Sequence, residues 1–283
     1  MKCANVSDGN QWSCTVCGYT PPVVNGYPAL AYELSRDDAG FNPRNFEKLA
    51  RLEAEHFWFR ARNRLIIWAL KRYFPDARNF LEIGCGTGFV LSGIEQTAPG
   101  LRLWGSELSC EGLAFAGKRV EAAELFQMDA RRIPFVREFD VIGAFDVLEH
   151  VEEDMLVLRE MGRAVKVHGG ILLTVPNHKF LWSRADEDAH HVRRYTMKEL
   201  KCTVENAGFS IMRMTAFISF LFPLMMAARL KRGGANADVM AELEMPRLLN
   251  RTFEKVLDAE RQIIRAGVNF PFGGSLLLVA QKV

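Results

Sequence analysis

Residues 81–88 read Leu-Glu-Ile-Gly-Cys-Gly-Thr-Gly, and no other stretch restricts the fold of this chain so strongly. An apolar strand end runs into glycines at alternate positions, Gly84, Gly86 and Gly88, and then into the helix-like stretch 89–97. Glycine is needed where the backbone turns through positive φ, or where a ligand must touch the main chain with no Cβ in the way. A strand, a glycine turn and a helix N-terminus in succession build a cofactor crevice. A phosphate-gripping loop would follow the turn with Gly-Lys-Ser/Thr, yet Phe89 and Val90 follow Gly88. A dinucleotide fingerprint spaces its last glycine three beyond the second, whereas Gly86 and Gly88 stand two apart.

The segments downstream narrow the choice. A strand pattern at 101–106 ends on Glu107, about 20 residues beyond the turn, where a Rossmann-type site holds ribose hydroxyls. The stretch 123–128 leads to Asp129 and Ala130, and a strand over 139–145 leads to Asp146-Val-Leu-Glu-His150. In this order the motifs resemble those of class I S-adenosylmethionine-dependent methyltransferases, over about 46–217 with a final strand near 275–281. The resemblance implies S-adenosylmethionine as cofactor. It places Gly84, Cys85, Gly86 and Gly88 against the methionine and ribose portions, and Glu82 where an acidic group meets the cationic amino group. Glu107 and Leu108 fall at the ribose, Asp129 and Ala130 at the adenine edge, and Phe145 and Leu148 at the methionine end.

Lys and Arg total 36 against 34 Asp and Glu, so no nucleic-acid footprint is visible. The first ten residues are too polar for a secretory signal, and the cysteines suggest no disulfide framework, so a cytoplasmic protein is expected. The run 215–228 is rich in Phe, Leu and Met, but it is short for a bilayer span and Pro223 interrupts it. It reads as a lid helix over an apolar acceptor pocket. The alternative is a peripheral membrane contact through 215–232, with Arg229, Lys231 and Arg232 at the headgroups.

Cys14 and Cys17 have zinc-knuckle spacing, followed by Gly18. The segment resembles the small zinc ribbons that precede some bacterial methyltransferases, but Val6 stands where the partner of Cys3 is expected. Cys3, Cys14 and Cys17 alone do not close a tetrahedral zinc site unless Asp8, a water or another group completes it. A degenerate ribbon held by Trp12, Tyr19 and Tyr27 is the preferred expectation. Helical periodicity runs over 45–73, and its aromatic and arginine cluster 55–62 resembles one that closes over the cofactor in related enzymes. Trp58 there can face the sulfonium, or simply pack the helix on the sheet. Arg62 is a candidate for the cofactor carboxylate.

Beyond it strands and helices alternate, which implies a parallel sheet covered on both faces. Helices are expected at 89–97, 110–120 and 151–167. The fold class is therefore α/β: a Rossmann-like seven-stranded, mostly parallel sheet with a helical insertion between the last two strands. Domain boundaries fall at 1–40 for the ribbon-like segment, 41–217 and 275–283 for the core, and 218–274 for the insertion. A helical stripe over 240–265 is expected to pack on the lid or on a second subunit.

Methyl transfer is an in-line displacement governed by alignment, and a base is needed only where the acceptor loses a proton. His150 ends the motif beside the methionine moiety. The family pattern singles out His191, two before the arginine pair Arg193-Arg194, and Asp186 is positioned to orient it. His178 follows the fifth strand, and His168 reads as a surface residue. Trp182, Arg193 and Tyr195 are the substrate candidates, while Thr196 and Glu199 read as a capping box. The expectation is methyl transfer to oxygen of a small-molecule or lipid-like acceptor, with carbon or nitrogen as alternatives. A non-catalytic cofactor-binding scaffold is the competing class.

Overall fold

The computed structural model describes residues 12–14, 17–36, 45–231 and 245–283. A hairpin of β1 (Val23–Val24) and β2 (Tyr27–Pro28) is followed by α1 (Asn45–Glu53) and α2 (Phe57–Tyr73). The alternating series comprises β3 (Asn79–Ile83), α3 (Phe89–Thr97), β4 (Arg102–Glu107), α4 (Cys110–Arg119), β5 (Glu124–Gln127) and β6 (Phe139–Phe145). Then come α5 (Asp154–Ala164), β7 (Val165–Pro176), α6 (Arg184–Asp188), α7 (Met197–Asn206) and β8 (Phe209–Phe217). The chain closes with α8 (Phe222–Lys231), α9 (Arg247–Arg265) and β9 (Ser275–Lys282).

The seven-stranded sheet has the order β5-β4-β3-β6-β7-β9-β8, and β9 runs antiparallel to both of its neighbours. This is the Rossmann-like sheet that the alternation implied. The central strands are buried along their length because helices cover both faces. Leu81, Ile142 and Leu173 pack toward α5 and α7, while Phe80, Val141 and Leu172 pack toward α2, α3 and α9. The chain steps outward from β3 to β5, then returns to lay β6 on the other side of β3. That reversal opens a crevice at the carboxyl ends of β3 and β6, the place where open α/β sheets bind ligands.

Three expectations are corrected. The helix over 45–73 is two helices, broken at Ala54, Glu55 and His56, with His56 Nδ1 accepting from the Trp58 amide at 3.3 Å as the cap of α2. A break of about one turn leaves the 3.6-residue period in phase, so the pattern hides it. The helix over 151–167 ends at Ala164, and Val165 already pairs with β6. There the register jumps from Phe139↔Val165 to Val141↔Gly170, around His168 at φ 65°. In the stripe over 240–265 the described part is helical only from Arg247, after Pro246, and it packs mainly on α2. Phe253 meets Phe57 at 5.3 Å, Arg64 pairs with Glu254 and Asp258, and Asn250 accepts from the Phe57 amide at 2.7 Å. Glu260 of the same helix accepts from the amides of Ser219 and Phe220, tying α9 to the approach of α8.

The described part of the N-terminal segment is joined to the core. Trp12 lies 4.9 Å from the Phe126 ring and 5.9 Å from that of Trp104. Ala29 bridges to Gln127, whose side-chain amide brackets Ala31 at 2.8 and 2.9 Å. Trp12→Ala is therefore expected to cost about 2 kcal/mol, below the full-burial range because the ring is partly exposed. A thermal midpoint equal to that of the parent would contradict this packing. Among the described residues no helix is long and apolar enough to cross a membrane.

Candidate active site

Three glycines bend the chain between β3 and α3, with φ of 66° at Gly84, 52° at Gly86 and 75° at Gly88. At Gly84 a Cβ would lie 2.6 Å from a methyl of Val147, and at Gly88 it would lie 3.0 Å from the Ala116 Cα. Conformation and space thus exclude a side chain at both. Gly84→Ala is expected to cost about 2–4 kcal/mol through left-handed strain and overpacking. It should also lower S-adenosylmethionine affinity on calorimetry; unchanged affinity would separate the turn from the crevice.

Acidic groups face this turn. Glu107, at the end of β4, accepts from the amides of Gly86 at 2.9 Å, Leu108 at 2.8 Å and Ser109 at 3.3 Å. Burial raises its carboxyl above the usual range, and these amides oppose the rise. Glu82 is buried at the end of β3, and its Oε2 has no hydrogen-bond partner. Burial pushes it well above the ordinary value, with the Arg62 charge opposing and those of Glu53 and Glu107 adding. Cys85 is buried and its thiol is held neutral, chiefly by burial. An orphaned acidic acceptor beside a second carboxylate suits a ligand with a cationic amino group and hydroxyl donors. Asp129, at the end of β5, pairs with Arg131 at 3.0 Å, and Ala130 and Leu108 are half-buried. Phe145 is buried and Leu148 is enclosed in the main core cluster.

α1 and α2 are laid against this crevice. The Thr87 hydroxyl donates to Glu53 of α1, and Arg119 of α4 bonds to both. The sequence pattern carries no sign of this network beyond a hydroxyl inside the glycine turn. Arg62 of α2 pairs with Asp146 at 2.8 Å, donates to the Phe145 carbonyl at 3.1 Å and lies 4.9 Å from the centre of the Trp58 ring. Asp146 itself takes φ 58° directly after β6.

The second half of the site lies beyond β6. The turn 148–150 and the loop after α6 are joined by the Val192 amide, which donates to the Glu149 carbonyl at 2.7 Å. That bond brings His191 to His150, with ring centres 4.7 Å apart and planes 81° apart. His191 Nδ1 lies 2.9 Å from Asp186 Oδ1, which also accepts from Arg194 Nε at 2.6 Å. Burial alone would raise the Asp186 carboxyl, but the bonds from His191 and Arg194 outweigh it and hold it at about 2. Burial, reinforced by the neighbouring His191, lowers His150 to about 4, so its ring is neutral near pH 7. Glu149 is fully buried with neither carboxylate oxygen partnered, and burial pushes it well above the usual range.

The flanking residues divide into holding and exposed groups. Arg193 pairs with Asp154 at 2.6 Å, and the buried Tyr195 donates to the same carboxylate at 2.7 Å. Thr196 and Glu199 form the expected capping box of α7. Trp182 is 40 % exposed beside the loop. His178 follows β7 at φ 61°, its ring against Phe180, Phe222 and Phe272. His168 is exposed, as expected. Cys14 is buried and Cys17 exposed, with Gly18 at φ 70° closing the turn by donating to the Cys14 carbonyl at 2.8 Å. Cys3 lies outside the described residues. Among the described residues the group of side chains able to hold a metal ion is Glu149, His150 and His191, which includes neither Cys14 nor Cys17.

A glycine turn flanked by acidic groups at the switch point of this sheet marks the cofactor crevice of a Rossmann-like enzyme. The chain belongs to the methyltransferase domain family, whose model matches residues 50–213. It is 25 % identical over 242 residues to a "Probable S-adenosylmethionine-dependent methyltransferase" of Mycobacterium tuberculosis, covering 82 % of this chain and 85 % of the relative. A ubiquinone biosynthesis O-methyltransferase of Sodalis glossinidius is 29 % identical over 126 residues, covering 41 % and 49 % of the two chains. Among solved structures, a SAM-dependent methyltransferase of Thermotoga maritima aligns with a TM-score of 0.53 at 15 % identity, covering 85 % of this chain and 95 % of that one. The protein is a class I methyltransferase, and S-adenosylmethionine is its cofactor.

Proposed function

We propose that the enzyme methylates a hydroxyl oxygen of an apolar small-molecule or lipid-like acceptor, with His191 receiving the hydroxyl proton. The observation that carries this reading is the Asp186–His191 pair, 2.9 Å apart, beside His150 at the end of the cofactor crevice. The bound cofactor supplies an electrophilic methyl group on a sulfonium. Glu82 holds its amino group, Glu107 and Leu108 its ribose, and Asp129 and Ala130 its adenine edge. The backbone of Gly84, Cys85, Gly86 and Gly88 allows close approach, with Phe145 and Leu148 lining the methionine end.

On the acceptor side, Asp186 accepts from Nδ1 of His191 and so leaves the Nε2 lone pair for the proton. His150, neutral because it is buried, packs across the same ring and excludes water. Tyr195 and Arg193 act through Asp154, which fixes the loop, while Trp182 borders the acceptor. An apolar acceptor is favoured by the exposed Phe180, Phe220, Leu224 and Phe272. The lid reading of 218–274 is favoured over a membrane contact by the Glu260 bonds to residues 219 and 220. Residues 1–40 and this insertion are additions to a core of 41–217 and 275–283. The O-methyltransferase relative is consistent with an oxygen acceptor.

Formation of S-adenosylhomocysteine across a panel of phenolic, polyketide, glycolipid and amine acceptors tests this reading. Turnover is expected with apolar hydroxyl compounds. Turnover on amines alone would overturn the oxygen assignment, and cofactor binding without turnover on any acceptor would favour a scaffold.

A further inference from the structure

We infer that Glu149, His150 and His191 form a binding site for a borderline divalent cation such as Zn²⁺. One ligand atom from each lies within 4.8 Å of the others. The residues meet because the turn after β6 carries Glu149 and His150, and the Val192–Glu149 backbone bond brings His191 onto it. Proximity alone would be ordinary. The second observation is that the fully buried Glu149 has both carboxylate oxygens unpartnered, and the buried Nδ1 of His150 is unpartnered as well. Buried polar atoms in native proteins almost always have a partner, and an unfilled ion position is one of the few physical reasons for an exception. A cation held by one oxygen of Glu149 and one nitrogen of each histidine gives the buried carboxylate and the His150 ring the partner they lack.

The third ligand is already oriented. Asp186 holds Nδ1 of His191 at 2.9 Å, and Asp186 is itself fixed by Arg194 and Ser183. A carboxylate behind a histidine is the arrangement that sets the tautomer of metal-bound imidazoles and leaves Nε2 as the donor. Ligands on one cation at bond lengths of about 2.0–2.2 Å sit roughly 3–3.5 Å apart, so closure requires side-chain rotations of about an ångström. Two imidazole nitrogens and one carboxylate oxygen favour a borderline transition ion over Ca²⁺ or Mg²⁺, and three protein ligands leave a coordination position open.

The consequence for the reaction rests on the proposed acceptor side: the open position is where an acceptor hydroxyl would be held. His191 uses one lone pair for either task, so it is a ligand in the cation-loaded site and a proton acceptor in the cation-free one.

Cobalt titration of chelator-stripped full-length protein tests the site in a Cys3→Ser, Cys14→Ser, Cys17→Ser background that removes the N-terminal thiolates. One equivalent of Co²⁺ is expected to give a visible absorption band that Zn²⁺ abolishes. Glu149→Gln and His191→Ala should each weaken binding by tenfold or more, and Asp186→Asn by about 10–100-fold. Should Glu149→Gln fail to fold by circular dichroism, His191→Ala decides. Absence of the band, or unchanged affinity in a folded variant lacking a ligand, would overturn the site. The titration uses neither methyl donor nor acceptor, so its failure is distinct from normal turnover in His191→Ala, which defeats the acceptor reading instead.

Discussion

His191→Ala is expected to lower kcat by about 10²–10⁴ while S-adenosylmethionine affinity stays nearly unchanged. The magnitude is that of a positioned group that takes a proton in the transition state. The separation of the two effects follows from the fold, because His191 stands on the loop after α6, whereas most of the cofactor residues stand at the ends of β3, β4 and β5 and on their turns. Asp186→Asn should show a smaller loss of the same kind. It removes a carboxylate held at about 2 and so ionised across the working range, but it retains the shape of the side chain. Because Asp186 is depressed below its ordinary value, its contribution to stability is present above about pH 4. That contribution is lost as pH falls toward 2. Parallel loss of cofactor binding and turnover in His191→Ala would show that the residue supports the fold of the site and takes no proton.

Glu107→Ala should weaken cofactor binding by about 1.5–3 kcal/mol, roughly 10–150-fold, through loss of charge-assisted hydrogen bonds to the ribose. The structure adds a second cost. The same carboxylate accepts from the amides of Gly86, Leu108 and Ser109, so truncation leaves the glycine turn without its anchor. A lower thermal midpoint in the cofactor-free protein is therefore expected beside the loss of affinity. Glu107→Gln keeps one acceptor oxygen and should recover part of the midpoint but less of the affinity. Equal affinity in parent and Glu107→Ala, measured calorimetrically, would remove this residue from the ribose site.

The sheet was legible because its strands are short apolar runs bounded by turn residues, and because the glycine turn at 84–88 leaves few alternatives. Gly84 and Gly88 could be picked from sequence since both conformation and space forbid a side chain there. What stayed hidden was long-range. Nothing local in Glu53 says that it will meet Thr87 and Arg119, and nothing in Trp12 announces the aromatic cluster of Trp104, Phe126 and Phe135. Arg62 is a sequence candidate for a cofactor carboxylate, but nothing local announces its ion pair with Asp146. Glu149 sits inside the 146–150 motif with nothing local to set it apart. Its lack of a partner emerges only when the loop carrying His191 is seen folded over it. The break between α1 and α2 escaped for a different reason, since a gap of about one turn preserves helical phase.

One product spectrum decides the acceptor atom. The enzyme is supplied with S-adenosylmethionine labelled with ¹³C in its methyl group and with each acceptor that supports turnover, and the product is read by carbon NMR. The label is expected on oxygen, as a methyl ether or ester. A label on nitrogen or carbon would contradict the assignment of His191 as the group that takes a hydroxyl proton.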